Sequence, residues 1–141
     1  LYGEAGDDRL QGGTESDLLN GGAGADWAMY TTGATRGVNV FLPDSMGGPK
    51  NEDPDRYVSI ENIQGTNYAD LIYGDDNANV LLGLRGDDTL DGRGGDDTIS
   101  PGSGVNFVYG RDGIAVRSSI PSTIGLPLVD GGTPHIWKPS R

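Results

Sequence analysis

The chain has 141 residues, of which 25 are glycine, 34% are hydrophobic and none is cysteine, and its formal charge is −11. This excludes a disulfide framework and a thiolate metal site, makes nucleic acid and anionic membrane surfaces repulsive partners, and lies closer to disordered chains than to core-building ones. No apolar run approaches the ~18 residues of a membrane span, no cleavable leader opens the chain, and the opening "LYGEAGDD" reads as mid-repeat, as expected of a piece of a longer protein.

Residues 1–29 form a first run of nine-residue units, with place one on Gly3, Gly12 and Gly21. Each unit has a Gly-rich, acidic first part, which favours a turn and tolerates positive φ. Its last three residues are β-friendly with one aliphatic side chain at place eight. Residues 65–110 form a second run, with units from Gly65, Gly74, Gly83 and Gly92 and a decayed one from Pro101. Place six holds Asp8, Asp17, Asp26, Asp70, Asn79, Asp88, Asp97 and Asn106; place eight holds Leu10, Leu19, Ala28, Ile72, Leu81, Leu90, Ile99 and Val108.

Between the runs, residues 30–64 break the period, since Gly21 and Gly65 are 44 residues apart. "GVNVFL" (37–42) still alternates as a strand, with Val38, Val40 and Leu42 on one face. "SIENIQG" (59–65) reads as another short strand leading into the second run. The expectation is a coil that continues irregularly, with residues 43–57 looping out; a disordered linker is the blander alternative. Residues 111–141 hold four of the eight prolines and neither the nonapeptide nor a helical period. They read as a capping or disordered tail.

A turn followed by a three-residue strand, repeated, coils the chain, with two units per coil. Turns eighteen residues apart then stack on one edge, and the strands stack into two parallel sheets. The predicted class is all-β: a right-handed parallel β-roll, a β-helix solenoid, interrupted once and ending in an irregular tail. One aliphatic side chain per nine ordered residues cannot offset the lost chain entropy. Stacking also sets Asp8 over Asp26 and Asp70 over Asp88, which repel. A hard divalent cation between stacked turns answers both difficulties, because calcium takes six to eight carboxylate and carbonyl oxygens. Magnesium prefers a strict octahedron with its own waters, and zinc lacks its usual nitrogen and sulfur ligands here.

The unit matches GGxGxDxUx, where U is aliphatic; "GGAGAD" at Gly21–Asp26 fits without exception. The chain therefore resembles the RTX hemolysin-type calcium-binding repeat family over residues 1 to about 110, and its interruption is similar to breaks in the repeat blocks of large RTX toxins. Glu15 and Tyr68 depart from the pattern at place four, and Asn79 and Asn106 at place six. The resemblance implies several calcium ions, each shared by places two, four and six of one turn and places one, three and six of the turn eighteen residues on. Glu4, Gly6 and Asp8 would then face Gly21, Ala23 and Asp26. Thr66, Tyr68 and Asp70 would face Gly83, Arg85 and Asp88. Leu84, Gly86 and Asp88 would face Pro101, Ser103 and Asn106, and Asp75, Asn77 and Asn79 would face Gly92, Gly94 and Asp97. Asp17 has no stacked partner in regular register.

The resemblance further implies a secreted, extracellular bacterial module that passes a type I exporter unfolded and folds on meeting calcium outside; we expect it to act as a monomer. The alternative is an adhesive module that uses the roll as a scaffold for a glycan or cell-surface target, with Tyr2, Trp27, Tyr68, Tyr73 and Tyr109 as its patch. "DDNAN" (75–79) opens like an EF-hand loop but lacks the glycine after it and the glutamate at the twelfth place. The only histidine, His135, lies in the tail with no nucleophile elbow before Ser122 or Asp130, so the residues offer no catalytic constellation and the fragment is read as no enzyme.

Overall fold

The computed structural model of the protein describes residues 1–50 and 52–110, and beyond them the backbone of three short strands. In chain order the strands are β1 (Arg9–Leu10), β2 (Leu18–Asn20), β3 (Trp27–Met29), β4 (Val38–Phe41), β5 (Met46–Pro49), β6 (Asp55–Val58), β7 (Asn62–Gln64), β8 (Leu71–Tyr73), β9 (Val80–Leu82), β10 (Thr89–Asp91), β11 (Thr98–Ser100), β12 (Phe107–Tyr109), β13 (Ala115–Val116), β14 (Leu128–Asp130) and β15 (Thr133–His135). The one helical element among the described residues is a 3₁₀ turn at Leu42–Asp44. No described helix is long and apolar enough to cross a membrane.

The fold is all-β, a parallel β-roll. Apart from β4, β5 and β6, consecutive strands from β1 to β13 alternate between two sheets, so in the repeat runs each sheet collects every second unit. One sheet runs β1-β3-β7-β9-β11-β13, and the other runs β12-β10-β8-β4-β5-β6-β2. Within the runs the register is eighteen residues, as in Leu90 beside Ile72 and Val108, and Ile99 beside Leu81. The place-eight side chains point between the sheets: Leu19, Ala28, Ile72, Leu81, Leu90 and Ile99 are fully buried. This single file of aliphatics is the whole core of each regular coil.

The interruption is more ordered than the sequence suggests. Residues 46–49 and 55–58 do not loop out; they are strands. β4 lies parallel to β8 and β6 lies parallel to β2, while β5 joins them antiparallel on both sides. The physical reason is hydrogen bonding. Without β5 the facing edges of β4 and β6 would expose unpaired amides and carbonyls. One sheet thus carries three strands where the other passes directly from β3 to β7. Tyr30, Tyr57, Val38, Leu42 and Ile60 are buried in the core at this level. The Tyr30 hydroxyl donates to Asp55 Oδ2 at 2.8 Å and also meets the Tyr57 hydroxyl.

The expectations for residues 111–141 lie largely outside the described residues. The backbone that is described adds β13 to the six-stranded sheet beside β11 and pairs β14 with β15 as an antiparallel ribbon.

Candidate metal centre

Stacking of the corners follows one rule in both runs. Where a next coil is described, the main-chain N–H of the place-six residue donates to the place-six side chain of that coil. Asp8 N–H donates to Asp26 Oδ1 at 2.8 Å, Asp70 to Asp88 at 2.9 Å, Asn79 to Asp97 at 3.0 Å and Asp88 to Asn106 at 2.9 Å. Asp26, Asp88 and Asp97 therefore give one oxygen to the neighbouring coil and turn the other into their own corners. The second oxygens of Asp8, Asp26, Asp88 and Asp97 are buried with no hydrogen-bond partner among the described residues. A buried carboxylate oxygen in this state is costly and calls for a cation or a proton.

Place-one glycines make room for these oxygens. A Cβ on Gly3 would lie 2.6 Å from both Asp8 Oδ2 and the Gly21 carbonyl oxygen; one on Gly83 would lie 2.5 Å from Asp88 Oδ2 and 2.6 Å from the Pro101 carbonyl oxygen. Carboxylate and carbonyl from two coils thus converge on one space. Places two and four are left-handed in the corners that start at Gly3, Gly21, Gly83, Gly92 and Pro101, with Glu4, Leu84 and Arg93 adopting positive φ without being glycine. Such residues are strained by ~1–2 kcal/mol, a burden that collects at functional sites. Gly104 could not be replaced: its φ is 129°, and a Cβ there would run into the Gly86 carbonyl.

The stacked corners differ in chemistry. In the Gly3–Gly21 pair, Gly6 N–H donates to Ala23 O at 2.8 Å and Ala23 N–H to Glu4 O at 2.9 Å, and both aspartates keep a bare oxygen. In the Gly83–Pro101 pair, Ser103 N–H donates to Leu84 O at 2.8 Å and Gly86 N–H to Ser103 O at 3.0 Å. There Asp88 is bare, whereas Asn106 Nδ2 donates to its own corner at Gly102 O. The Gly65 and Gly74 corners close on themselves. Asp70 accepts from Thr66 N–H at 2.7 Å and Thr66 Oγ1 at 2.8 Å, and Asn79 Oδ1 accepts from Asp75 N–H at 2.8 Å. Asn77 N–H bonds Asp75 Oδ1 as well. Neither corner is left-handed at places two and four. Arg85 pairs with Ser103, and Gly94 N–H reaches Asp75 O at 3.2 Å. Gly92 and Gly94 supply backbone opposite the Asp75–Asn79 corner.

Burial pushes the Asp88 carboxyl up to about 7; the Asp70 amide opposes this, and the Asp70 and Asp87 charges add to it. Burial likewise raises Asp97 to about 6, opposed by the Asn79 amide and reinforced by Asp75, Asp91 and Asp96. Asp70 is also raised by burial, but the bonds from Thr66 and Val38 and the charge of Lys50 pull it back. No group of three or more His, Asp or Glu side chains converges among the described residues. A site here must take most of its oxygens from the main chain, which suits calcium and no thiophilic or imidazole-seeking metal.

Two residues at place six were not found from the sequence. Asp55 stacks on Asp17, whose N–H donates to Asp55 Oδ1 at 2.9 Å, so Asp17 does have a partner, 38 residues on. Glu61 stacks on Asp26, whose N–H donates to Glu61 Oε2 at 2.9 Å. The signal was present: "DRYV" and "ENIQ" keep an acid followed two places later by a large apolar residue, without the glycines ahead. The aromatic residues do not form one patch. Trp27 lies under Arg9 on one sheet, Tyr73 stacks on Phe41 on the other, and Tyr2 and Tyr68 stand exposed elsewhere.

A family model, the RTX calcium-binding nonapeptide repeat in four copies, matches residues 1–34, 59–85 and 73–108. No curated protein matches the chain.

Proposed function

The chain belongs to the RTX calcium-binding nonapeptide-repeat family and is a calcium-binding repeat module; from that premise we propose that it is a folding latch, unfolded while calcium is scarce and ordered when calcium is plentiful outside a bacterial cell. The observation that carries this reading is the set of four buried place-six carboxylate oxygens, on Asp8, Asp26, Asp88 and Asp97, with no hydrogen-bond partner among the described residues. Each lies in a corner narrowed around it, and those of Asp8, Asp26 and Asp88 lie beside a carbonyl of the next coil. Bound calcium supplies positive charge and accepts those oxygens as ligands.

The residues divide into stronger and weaker holders. Asp8 and Asp26, with the carbonyls of Glu4, Gly6, Gly21 and Ala23, form the strongest site because both place-six residues of this pair are aspartates that keep a bare oxygen. Asp88 with Leu84, Gly86, Pro101 and Ser103, and Asp97 with Asp75, Asn77, Gly92 and Gly94, follow with one bare carboxylate oxygen each, the Asp75 carboxylate being held by Asn77 and Asn79. Thr66, Tyr68, Asp70, Gly83 and Arg85 form the weakest, since Asp70 is already satisfied. Asp17 has its ladder partner in Asp55 but no glycine corner opposite.

With its carboxylates ionised, the calcium-free chain is acidic, poor in core and expanded, and so suited to passage through a type I exporter. Millimolar calcium outside holds the folded state by mass action. The adhesive reading has less support, because the aromatic side chains are divided between two sheets and separate corners. The test is far-UV circular dichroism with calcium and magnesium titrations, alongside calorimetry. The reading expects a saturable gain of β-structure with calcium and little with magnesium. Equal β-structure in chelator and in calcium overturns it.

A further inference from the structure

The Gly65–Asp70 corner stands out from the other aspartate corners of the second run because a side chain from the interruption reaches it. Val38 lies opposite Asp70 in the strand register, so the corner before β4 brings no carboxylate to this pair. Instead Val38 N–H donates to Asp70 Oδ1 at 2.9 Å, and Thr66, itself almost fully buried, supplies two more donors. Both Asp70 oxygens are satisfied. The Lys50 ammonium donates to the Ala69 carbonyl, one residue before Asp70. Its backbone is fixed in turn: Lys50 N–H bonds Gly37 O at 3.0 Å, and Arg36 Nη1 bonds Lys50 O at 3.2 Å while pairing with Glu52 at 3.5 Å. A fixed positive charge thus stands at the Ala69 carbonyl, one residue before Asp70.

We propose that Lys50 is a tethered cation standing in for a calcium ion at the Gly65–Asp70 corner, which therefore closes without metal and serves as the template on which the second run loads its ions. The proposal rests on the reading that calcium drives folding of the other corners. It makes Lys50 a positioning residue rather than a ligand. It also gives the interruption a purpose, since that segment delivers a charge to the first coil of the second run, where no preceding aspartate corner exists to share an ion.

The experiment is hydrogen exchange by mass spectrometry on the full chain, in chelator and through a calcium titration. In chelator, the peptide spanning 65–70 should exchange at least tenfold more slowly than those spanning 83–88 and 92–97. Lys50→Met, which keeps the aliphatic stem, should abolish that difference and raise the calcium midpoint of the second run about three- to tenfold. Lys50→Arg should restore both, and Thr66→Val should behave as Lys50→Met does. Equal exchange of all three corners in wild-type chain without calcium overturns the proposal whatever the variants do. So does a Lys50→Met chain that titrates as wild type while still ordering with calcium. A wild-type chain with no calcium response at any corner sinks the latch itself, and this inference with it.

Discussion

Replacing Asp88 by Asn should separate two effects that act together in the wild type. The ion-free fold holds the Asp88 carboxyl at about 7 instead of 3.8, mainly through burial. At pH 7.5 the ionised side chain therefore works against folding by roughly 2–4 kcal/mol, allowing for solvent screening. Asparagine keeps Oδ1 as acceptor for the Asp70 amide, now 2.9 Å away. Its amide can donate to a corner carbonyl, as Asn106 does to Gly102. Asp88→Asn should thus be more ordered than wild type in calcium-free buffer, read as a higher urea midpoint by circular dichroism. It should also lose a charged ligand, weakening one site by tenfold or more, ~1.4 kcal/mol. Calorimetry at limiting calcium should show one strong site fewer. An Asp88→Asn chain that is less ordered without calcium, or that keeps the wild-type number of strong sites, would refute the reasoning that its bare oxygen is a strained, cation-seeking group.

Three further outcomes follow from the same geometry. Because Asp88 and Asp97 have folded-state values raised from 3.8 to about 7 and about 6, their contribution to the ion-free fold is fully present below the unfolded value and is lost as pH climbs through the folded ones; ellipticity without calcium should fall between about pH 4 and 7, while the calcium midpoint drops as the carboxylates ionise. Gly104→Ala sets a methyl group against the Gly86 carbonyl and should raise the calcium midpoint at least tenfold, with a normal response at the Gly3–Gly21 corners by hydrogen exchange. Tyr30→Phe removes the donor to buried Asp55 and should cost ~1–3 kcal/mol in calcium-saturated urea melts.

Much of this was legible because the repeat states its core and its corner in separate places. An aliphatic residue at place eight is enough to predict Leu81, Leu90 and Ile99 as buried, and their spacing gives the sheet register. The interruption hid its strands because the two halves of the unit are separable. Asp55–Val58 and Glu61–Gln64 keep the acid and the strand but drop the glycines, which only a tight, left-handed corner requires. The closed state of the Gly65 and Gly74 corners was harder to foresee. It depends on Thr66, Asp75 and Asn79 finding local backbone partners, and non-glycine residues at places two and four were the only hint. The reach of Lys50 to Ala69 depends on the path of β5 and had no signature in the sequence at all.

The three-for-one strand substitution makes the two flanks of the solenoid unequal carriers of cooperativity. In repeat proteins each coil senses only its neighbours. On one flank the row Asp26, Glu61, Asn79 runs on unbroken, for Asn79 Nδ2 also holds the Glu61 carbonyl at 2.8 Å. On the other flank β5 lies between the Asp17–Asp55 rung and the Val38–Asp70 rung. News of an ion bound at one end can therefore travel to the other along a single rail, and severing that rail at Glu61 would turn one steep titration into two shallow ones.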